Sequence, residues 1–305
     1  MADANPTACI LVIGNEVLSG RTQDLNVKYL ATRLGEIGIV VREVRIIPDV
    51  PEVIVGTVNA TRAEFDHVFT TGGIGPTHDD ITSECIAAAF GVPWEPHPEA
   101  WRRMAAVYAN RPGEFNAARQ RMATMPRGAV LINNEVSIAP GFSVENVHVL
   151  AGVPRIMQMM FEWLAPSLRG GAPVASRAVH VNGLAEGTIA EGLGAIQTRF
   201  PQLDIGSYPY YRPGGNGVAI VAKGTDAAAA EAAIGEVSAL FVRLGGAPIP
   251  GEPEAGEAEA GLTLQLTGPE RVALAGVARL HATAEPAHPL RRTAVGEAVG
   301  HHVAA

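Results

Sequence analysis

Cysteine is nearly missing from this chain: Cys9 and Cys85 are the two in 305 residues, each set among aliphatic neighbours. That excludes a disulfide framework and a cysteine-rich zinc site, and both thiols are expected to be buried. Aromatic residues are also scarce, 5% against 47% hydrophobic, so the core is expected to be aliphatic. An excess of basic charge is absent; the formal net charge is −8. This argues against an electrostatic grip on nucleic acid or on an anionic membrane. No unbroken apolar run reaches the roughly 18 residues that a membrane span needs. The opening MADANPTACILVIG carries an early acid and no basic stretch, so no signal peptide is expected and the protein is expected to be cytoplasmic. There is no Ser-His-Asp order, no Walker-A lysine pattern and no zinc spacing.

What is present is an alternation. Ala8 to Ile13 is a short continuous apolar run, which suits a strand buried on both faces. A polar loop over 14–26 follows, then helical spacing at Leu30, Leu34 and Ile37, stopped by Gly38. Ile39 to Ile47 is β-branched, Pro51 is placed to open a helix continued by Val53 to Ala63, and His67 to Thr70 reads as a third strand before a helix over Thr82 to Phe90. Strand and helix alternating three times predict a parallel sheet covered on both faces, a three-layer α/β/α fold. Ligands in such sheets sit at the carboxyl ends of the strands, so the loops 14–26, 48–51 and 71–82 are expected to crowd one edge.

Further on, Trp94 to Thr124 reads as helical with a break at residues 111–113. Val130 to Ile132, Val136 to Ile138 and Val147 to Leu150 read as short strands, and Arg155 to Leu168 as a helix. A linker at residues 169–173 leads to a small βαββα unit: strand from Ser176, helix Thr188 to Phe200, strands Asp204 to Tyr211 and Val218 to Lys223 around a turn at 213–215, and helix Asp226 to Leu244. From about Gly251 the chain is acidic, then rich in Ala and Gly. The expected organisation is a main α/β domain over 1–170, a smaller α+β domain over 171–250, and a low-complexity, disordered tail over 251–305 with a short helix at Val272 to Leu280.

The chemistry concentrates in TTGGIGPTHDD, residues 70–80. Gly72, Gly73 and Gly75 at a strand-to-helix turn let backbone N–H groups approach an anion, with the positive end of the helix dipole behind them. Thr70, Thr71 and Thr77 add hydroxyls. A glycine turn alone is usually structural, but Asp79 and Asp80 change the reading. One aspartate is explained as a helix cap; two beside a phosphate cradle would repel the phosphate unless a divalent cation intervenes. Magnesium commonly takes one or two carboxylates plus substrate phosphates, and Asp49, at the end of the neighbouring strand, is a further candidate ligand. The first loop adds Glu16, Ser19, Gly20, Asp24 and Asn26, each of which has a local capping or pairing reading. His67 reads as a strand-entry residue, His97 as a loop residue, and His78 as facing solvent or ligand.

Taken in order, GNEVLSGRTQDLN, IIPDV, TTGGIGPTHDDIT, and APGF followed by GVP resemble the molybdopterin-binding (MoCF-biosynthesis) domain family. The form is that of competence/damage-inducible protein A and of the N-terminal half of bifunctional FAD synthases. The resemblance covers roughly residues 8–168; the small domain, with AEGTIAEGL and DIGSYPYY, is similar to the accessory domain of the same group and extends it to about residue 245. It implies that Gly72, Gly73 and Gly75, with Thr77, hold a pyrophosphate or pterin phosphate, and that Asp49 and Asp80 serve metal binding and catalysis. It also implies that Ser19, Asp24 and Asn26 form the first binding loop, and that Pro140-Gly141 and Gly152 to Pro154 close the pocket. Gly20, Thr71, Pro76, Asp79 and Thr82 complete the expected ligand-binding set. Ala151 departs from the proline usual before GVP. Asp79 stands where the molybdopterin adenylyltransferases of the family carry arginine.

The function this implies is metal-dependent hydrolysis of a dinucleotide such as ADP-ribose or FAD, with Mg²⁺, Co²⁺ or Mn²⁺. The alternatives are molybdopterin adenylyl transfer, with molybdopterin as ligand, and a non-catalytic module binding a pterin or nucleotide. No nucleic-acid or membrane partner is expected, and a homo-oligomer is. The stretch after Gly251 is too short and too rich in Ala and Gly for the deamidase domain that often follows in this group, so neither deamidase activity nor an FAD synthase catalytic domain is expected.

Overall fold

The computed structural model describes residues 5–111, 113–212 and 215–253. The expected tail and its short helix, Pro112 and the centre of the 213–215 turn lie outside the described residues. In chain order the first part comprises β1 (Thr7–Ile13), α1 (Asn15–Leu18), α2 (Asn26–Glu36), β2 (Val40–Ile47), α3 (Pro51–Glu64), β3 (His67–Thr71), α4 (Thr82–Phe90), β4 (Trp94–Pro96), α5 (Pro98–Val107), α6 (Ala117–Arg121), β5 (Thr124–Pro126), β6 (Val130–Ile132), β7 (Gly141–Val144), β8 (Val147–Leu150) and α7 (Pro154–Leu164). The second comprises β9 (Ala175–Asn182), α8 (Glu186–Arg199), β10 (Asp204–Arg212), β11 (Gly215–Gly224), α9 (Ala227–Arg243) and β12 (Ile249–Pro250).

The main sheet has the order β2-β1-β3-β8-β7-β6. β2, β1, β3 and β8 run parallel, while β7 and β6 are antiparallel at one edge. β1 is central and buried from Ala8 to Ile13, as its unbroken apolar run requires. One face packs through Leu11, Ile13 and Val68 onto Ile54 and Val58 of α3 and Ile86 of α4. The other packs through Ile10, Val12 and Phe69 onto Leu30 and Leu34 of α2 and Met157 and Phe161 of α7. Two separate cores on opposite faces make the expected three layers. The second part is a smaller antiparallel domain, a four-stranded sheet ordered β10-β11-β9-β12, with its own core between β9, β11, α8 and α9. β12 adds an edge strand beyond the expected βαββα unit. Among the described residues, no helix is long and apolar enough to cross a membrane. Both cysteines are buried, and burial pushes their thiols up to about 11.

Three local expectations are corrected. Trp94 to Thr124 is not continuously helical: Trp94–Pro96 pairs antiparallel with Thr124–Pro126. Pro93, Pro96 and Pro98 hold the residues before them extended, so helix starts only at Pro98, where the missing N–H costs nothing. Val136 to Ile138 is not a strand; the Asn134 side chain takes the N–H of Val136 and of Ser137, a local turn that outcompetes pairing, and the strand forms instead at Gly141–Val144. The 14–26 loop contains the short helix α1.

Gly38 does more than stop α2. Its φ is +76°, its N–H meets Gly35 O at 3.0 Å and the Ile39 N–H meets Leu34 O at 2.8 Å, the paired closure of a Schellman end. A Cβ there would also lie 2.3 Å from the backbone carbon of Gly171, where the chain passes between the two sheets. Gly38→Ala is therefore expected to lose at least about 2 kcal/mol, from left-handed strain plus a backbone clash. Urea unfolding monitored by circular dichroism checks this; a loss under 0.5 kcal/mol, on the order of a neutral surface change, contradicts it.

A buried polar chain crosses the amino-terminal side of the main sheet. His67 Nε2 lies 3.3 Å from Arg169 O, His67 Nδ1 lies 3.2 Å from His148 Nε2, and His148 Nδ1 lies 2.8 Å from Ser143 Oγ. A carbonyl only accepts, so with both rings neutral the donors are His67 Nε2–H, His148 Nε2–H and the Ser143 hydroxyl in turn. His148 is 6% exposed; burial, then the neighbouring His67, pushes its imidazole down to about 3. Burial lowers His67 as well, against the Arg169 carbonyl and Asp66, which raise it.

Candidate functional site

Because β1, β2, β3 and β8 are parallel, the turns after them meet at one edge, as expected. Gly14 N–H donates to Ile47 O at the end of β2, and Gly72 N–H to Leu150 O at the end of β8, each at 3.2 Å. Asn26, in the first turn of α2, donates from Nδ2 to Gly152 O at 2.8 Å, joining the first loop to the β8–α7 turn across 126 residues. Asn26, rather than capping α2, is spent on this bridge; Asp24 Oδ1 accepts from Val27 N–H at 2.8 Å and caps in its place.

The loop after β3 is built around two contacts. Thr82 N–H donates to Gly73 O at 3.0 Å, turning the chain into α4. Asp80 Oδ2 accepts from Thr77 N–H at 2.8 Å and also from the Thr77 hydroxyl. Neither aspartate caps α4 as its N-terminal flanking residue, which is Ile81; Asp80 instead closes the loop on itself. Gly73 is irreplaceable on two counts. Its φ is +67°, and a Cβ would stand 2.2 Å from Thr82 Oγ1. Among the described residues, the N–H groups of Gly73, Ile74 and Gly75 donate to no protein acceptor. Consecutive free N–H groups in a left-handed turn form an anion-binding concavity.

The surrounding side chains are poised in the same sense. Thr71 and Thr82 are 1% and 0% exposed, and Asn26 is 4% exposed, yet Thr71 Oγ1, Thr82 Oγ1 and Asn26 Oδ1 have no hydrogen-bond partner. Orphaned buried polar atoms cost about 1–3 kcal/mol each, and a ligand or water at this turn could complete their bonding. Asp24, Asn26, Thr71, Gly72, Gly152 and Pro154 line a cleft of about 60 Å³, with Glu16, Thr22 and Gln23 at its rim. Drug-sized ligands need at least about 300 Å³. The cleft has the volume of a phosphate-sized group, and of residues 70–80 it is lined by Thr71 and Gly72, while Ile74 and Gly75 face a second crevice.

The other expected residues separate. Gly75, Asp80 and Pro140 line a second, narrow crevice with Arg121. Ser19 and Gly20 are exposed after α1 and line neither recess. Pro76, Thr77 and Asp79 are exposed on the loop, and the Thr77 hydroxyl and the Asp79 backbone N–H hold the Asp79 carboxyl below its ordinary value. The His78 side chain is 98% exposed, and His97 caps α5 with Nδ1, 3.4 Å from Ala100 N. Gly141 is buried as the first residue of β7, where a Cβ would stand 2.4 Å from Val149 O. Arg121 escaped the sequence reading; nothing in AARQR distinguishes it from its neighbour Arg119.

For a divalent cation, the donor set is two carboxylates each with an oxygen to spare. Asp49 Oδ2 accepts from Asn15 N–H at 2.8 Å and Asp80 Oδ2 is tied to Thr77; among the described residues neither Oδ1 accepts a hydrogen bond from the protein. β1 lies between β2, which leads to Asp49, and β3, which precedes the loop carrying Asp80. Among the described residues no group of three or more His, Cys, Asp or Glu is gathered for a metal. A cation held by Asp49 or Asp80 would need oxygens from a ligand or water to complete its shell.

Comparison with known proteins agrees with this architecture. Residues 9–170 match the family described as the "probable molybdopterin binding domain", and residues 173–243 match the one described as the FAD synthase middle domain. A protein of Pyrobaculum calidifontis is 37% identical over 212 residues, covering 67% of this chain and 81% of its own length. A CinA-like protein of Chloroherpeton thalassium is 32% identical over 251 residues, covering 78% of this chain and 59% of its own. The solved structure of CinA from Thermoplasma acidophilum, whose function is given as unknown, superposes with a TM-score of 0.51 at 28% identity, covering 54% of this chain and 99% of that one. With the loops of β1, β2, β3 and β8 gathered at one edge and the match spanning the whole main sheet, this chain belongs to the molybdopterin-binding (MoCF-biosynthesis) domain family, in its CinA-like form.

Proposed function

We propose that this protein binds a phosphate-bearing nucleotide or pterin at the Gly73–Gly75 turn and hydrolyses a dinucleotide of the ADP-ribose or FAD type there with a divalent cation. The observation that carries the reading is the set of three consecutive free N–H groups beside the orphaned Thr71, Thr82 and Asn26 atoms. Fixed N–H donors stabilise charge that develops on a phosphoryl oxygen without reorganising at the moment of reaction. A cation bound with the substrate would supply charge neutralisation and activate water. Asp49 and Asp80 would hold it through their free oxygens, and Asp80, already fixed by Thr77, sits on the same loop as the N–H groups. The exposed Asp79 adds negative charge beside the cradle, which disfavours a phosphate arriving without its cation.

Nucleotide release from ADP-ribose and FAD with added Mg²⁺, Co²⁺ or Mn²⁺ tests this. Turnover is expected, and Asp80→Asn is expected to lower it by about 100-fold. No release from either substrate with any of the three ions contradicts it. Binding without turnover is the second reading; a dinucleotide that binds tightly and is recovered intact supports it.

A further inference from the structure

The phosphate turn is bonded mostly to itself and to α4. Thr77 bonds Asp80, Ile81 N–H meets Asp79 O, and Thr82 N–H meets Gly73 O. From Gly73 to Ile81, among the described residues, one side chain reaches it by hydrogen bond from another element: Arg121, the last residue of α6, whose Nε donates to Asp80 O at 3.1 Å. The same guanidinium places Nη2 at 3.2 Å from Glu84 Oε2 on α4 and Cζ at 4.9 Å over the Trp94 ring. Trp94 is itself fixed, with Nε1 at 3.0 Å from both Ser83 Oγ and Thr124 O. The guanidinium is thus held on three sides, by a backbone oxygen, a carboxylate and an aromatic face.

We propose that Arg121 is the positioning residue of the phosphate turn: it locks Asp80, and through Asp80 the Gly73–Gly75 N–H groups, in the geometry that receives a phosphoanhydride. This rests on the function proposed above. The crevice between Arg121, Gly75, Asp80 and Pro140 has room for only about 10 Å³, no more than one water, so no ligand group fits between Arg121 and Asp80 and the arginine acts through its bond to the Asp80 carbonyl. A planar guanidinium can donate along Nε and Nη2 and stack at once; a lysine ammonium cannot. The positive charge also offsets Asp79, Asp80 and Glu84, which would otherwise face an incoming polyanion unaided. The β4–β5 ribbon and α6, an excursion between α4 and the main sheet's antiparallel edge, gain a role by carrying this clamp.

The test is calorimetric titration of the full chain with ADP-ribose and Mg²⁺, and with inorganic pyrophosphate and Mg²⁺. Arg121→Ala is expected to weaken both by about 10-fold to 100-fold, in the range of a lost charge-assisted bond. Guanidinium ion at tens of millimolar is expected to restore part of the loss, and Arg121→Lys to bind between wild type and Arg121→Ala. In an Asp80→Ala background, where the Asp80 carboxylate bonds to Thr77 that carry the clamp to the N–H groups are gone, Arg121→Ala should add less than about twofold, a coupling that a merely structural residue does not show. Arg121→Lys carries the comparison if Arg121→Ala does not fold. Wild-type binding with either variant within twofold of it, or with losses that multiply in the double variant, overturns the clamp alone; absence of wild-type binding overturns the functional reading and the clamp with it.

Discussion

Gly73→Ala is expected to abolish phosphate binding in practical terms, a loss of more than 100-fold in affinity for ADP-ribose or pyrophosphate. An alanine at φ +67° carries about 1–2 kcal/mol of left-handed strain. More decisive is the neighbour it would meet. Thr82 Oγ1 lies 2.2 Å and Thr82 Cβ 3.2 Å from the new methyl group, and Thr82 is fully buried, so the side chain cannot swing into solvent. The turn must shift instead, and it carries the N–H groups of Gly73, Ile74 and Gly75. Misaiming two charge-assisted bonds to a phosphate removes about 3 kcal/mol or more, which is the stated 100-fold. Gly91→Ala is the control. Gly91 has the same kind of backbone, φ +65°, at the far end of α4, the helix that Thr82 opens, with nothing within 4 Å of a Cβ. It should lose a similar strain energy in unfolding experiments and keep its affinity within about twofold. If both variants bind alike, the steric claim about Thr82 is wrong.

The second large effect is on stability in mild acid. His148 is neutral in the fold, pushed from 6.5 down to about 3, while in the unfolded chain it titrates near its ordinary value. Stability from this group is fully present above pH 6.5 and falls as pH drops from 6.5 toward 3, because only the unfolded chain takes up the proton. The slope is about 1.4 kcal/mol per pH unit. At pH 4.5 the loss from His148 is on the order of 2–3 kcal/mol, a large part of a typical 5–15 kcal/mol, and His67, lowered by burial, adds in the same direction. Urea unfolding at pH 7, 5.5 and 4.5 reads this directly. His148→Gln, which keeps a polar side chain and removes the titration, should flatten the curve in this window; an unchanged pH profile in that variant excludes His148 as its source.

Much of the main sheet was legible in the sequence. The runs ACILVI and HVFT, with glycine turns after them and helical spacing between them, read as strands of a buried parallel sheet, and parallel strands bring their following loops to one edge. The excursion from Trp94 to Pro126 was less legible, since its alanine, methionine and arginine content suits a helix; three prolines at 93, 96 and 98 decided against it. The strand at Gly141–Val144 was obscured because Pro140-Gly141 reads as punctuation, whereas here the glycine lets β7 approach Val149 and Met160 closely.

The site was legible in its backbone chemistry and not in its side-chain partners. Glycine spacing announced the turn at residues 72–75, but no pattern could reveal that Asn26 bridges to Gly152 or that Asp24 does the capping. Nor could spacing separate Ser19 and Gly20, which lie outside the cleft, from Asp24 and Asn26, which line it. The paired aspartates resolve into different parts: Asp80 is committed to Thr77 and clamped by Arg121, while Asp79 stays on the surface.

The most direct measurement of the central claim is a two-dimensional ¹H–¹⁵N spectrum of the full chain, deuterated, titrated with ADP-ribose and Mg²⁺. The expected result is downfield movement of the Gly73, Ile74 and Gly75 amide protons, as they gain phosphate acceptors, with saturation at one concentration for all three. Unmoved amides at these residues, with ligand-dependent shifts elsewhere or nowhere, would contradict the claim that this turn is where the protein receives a phosphate.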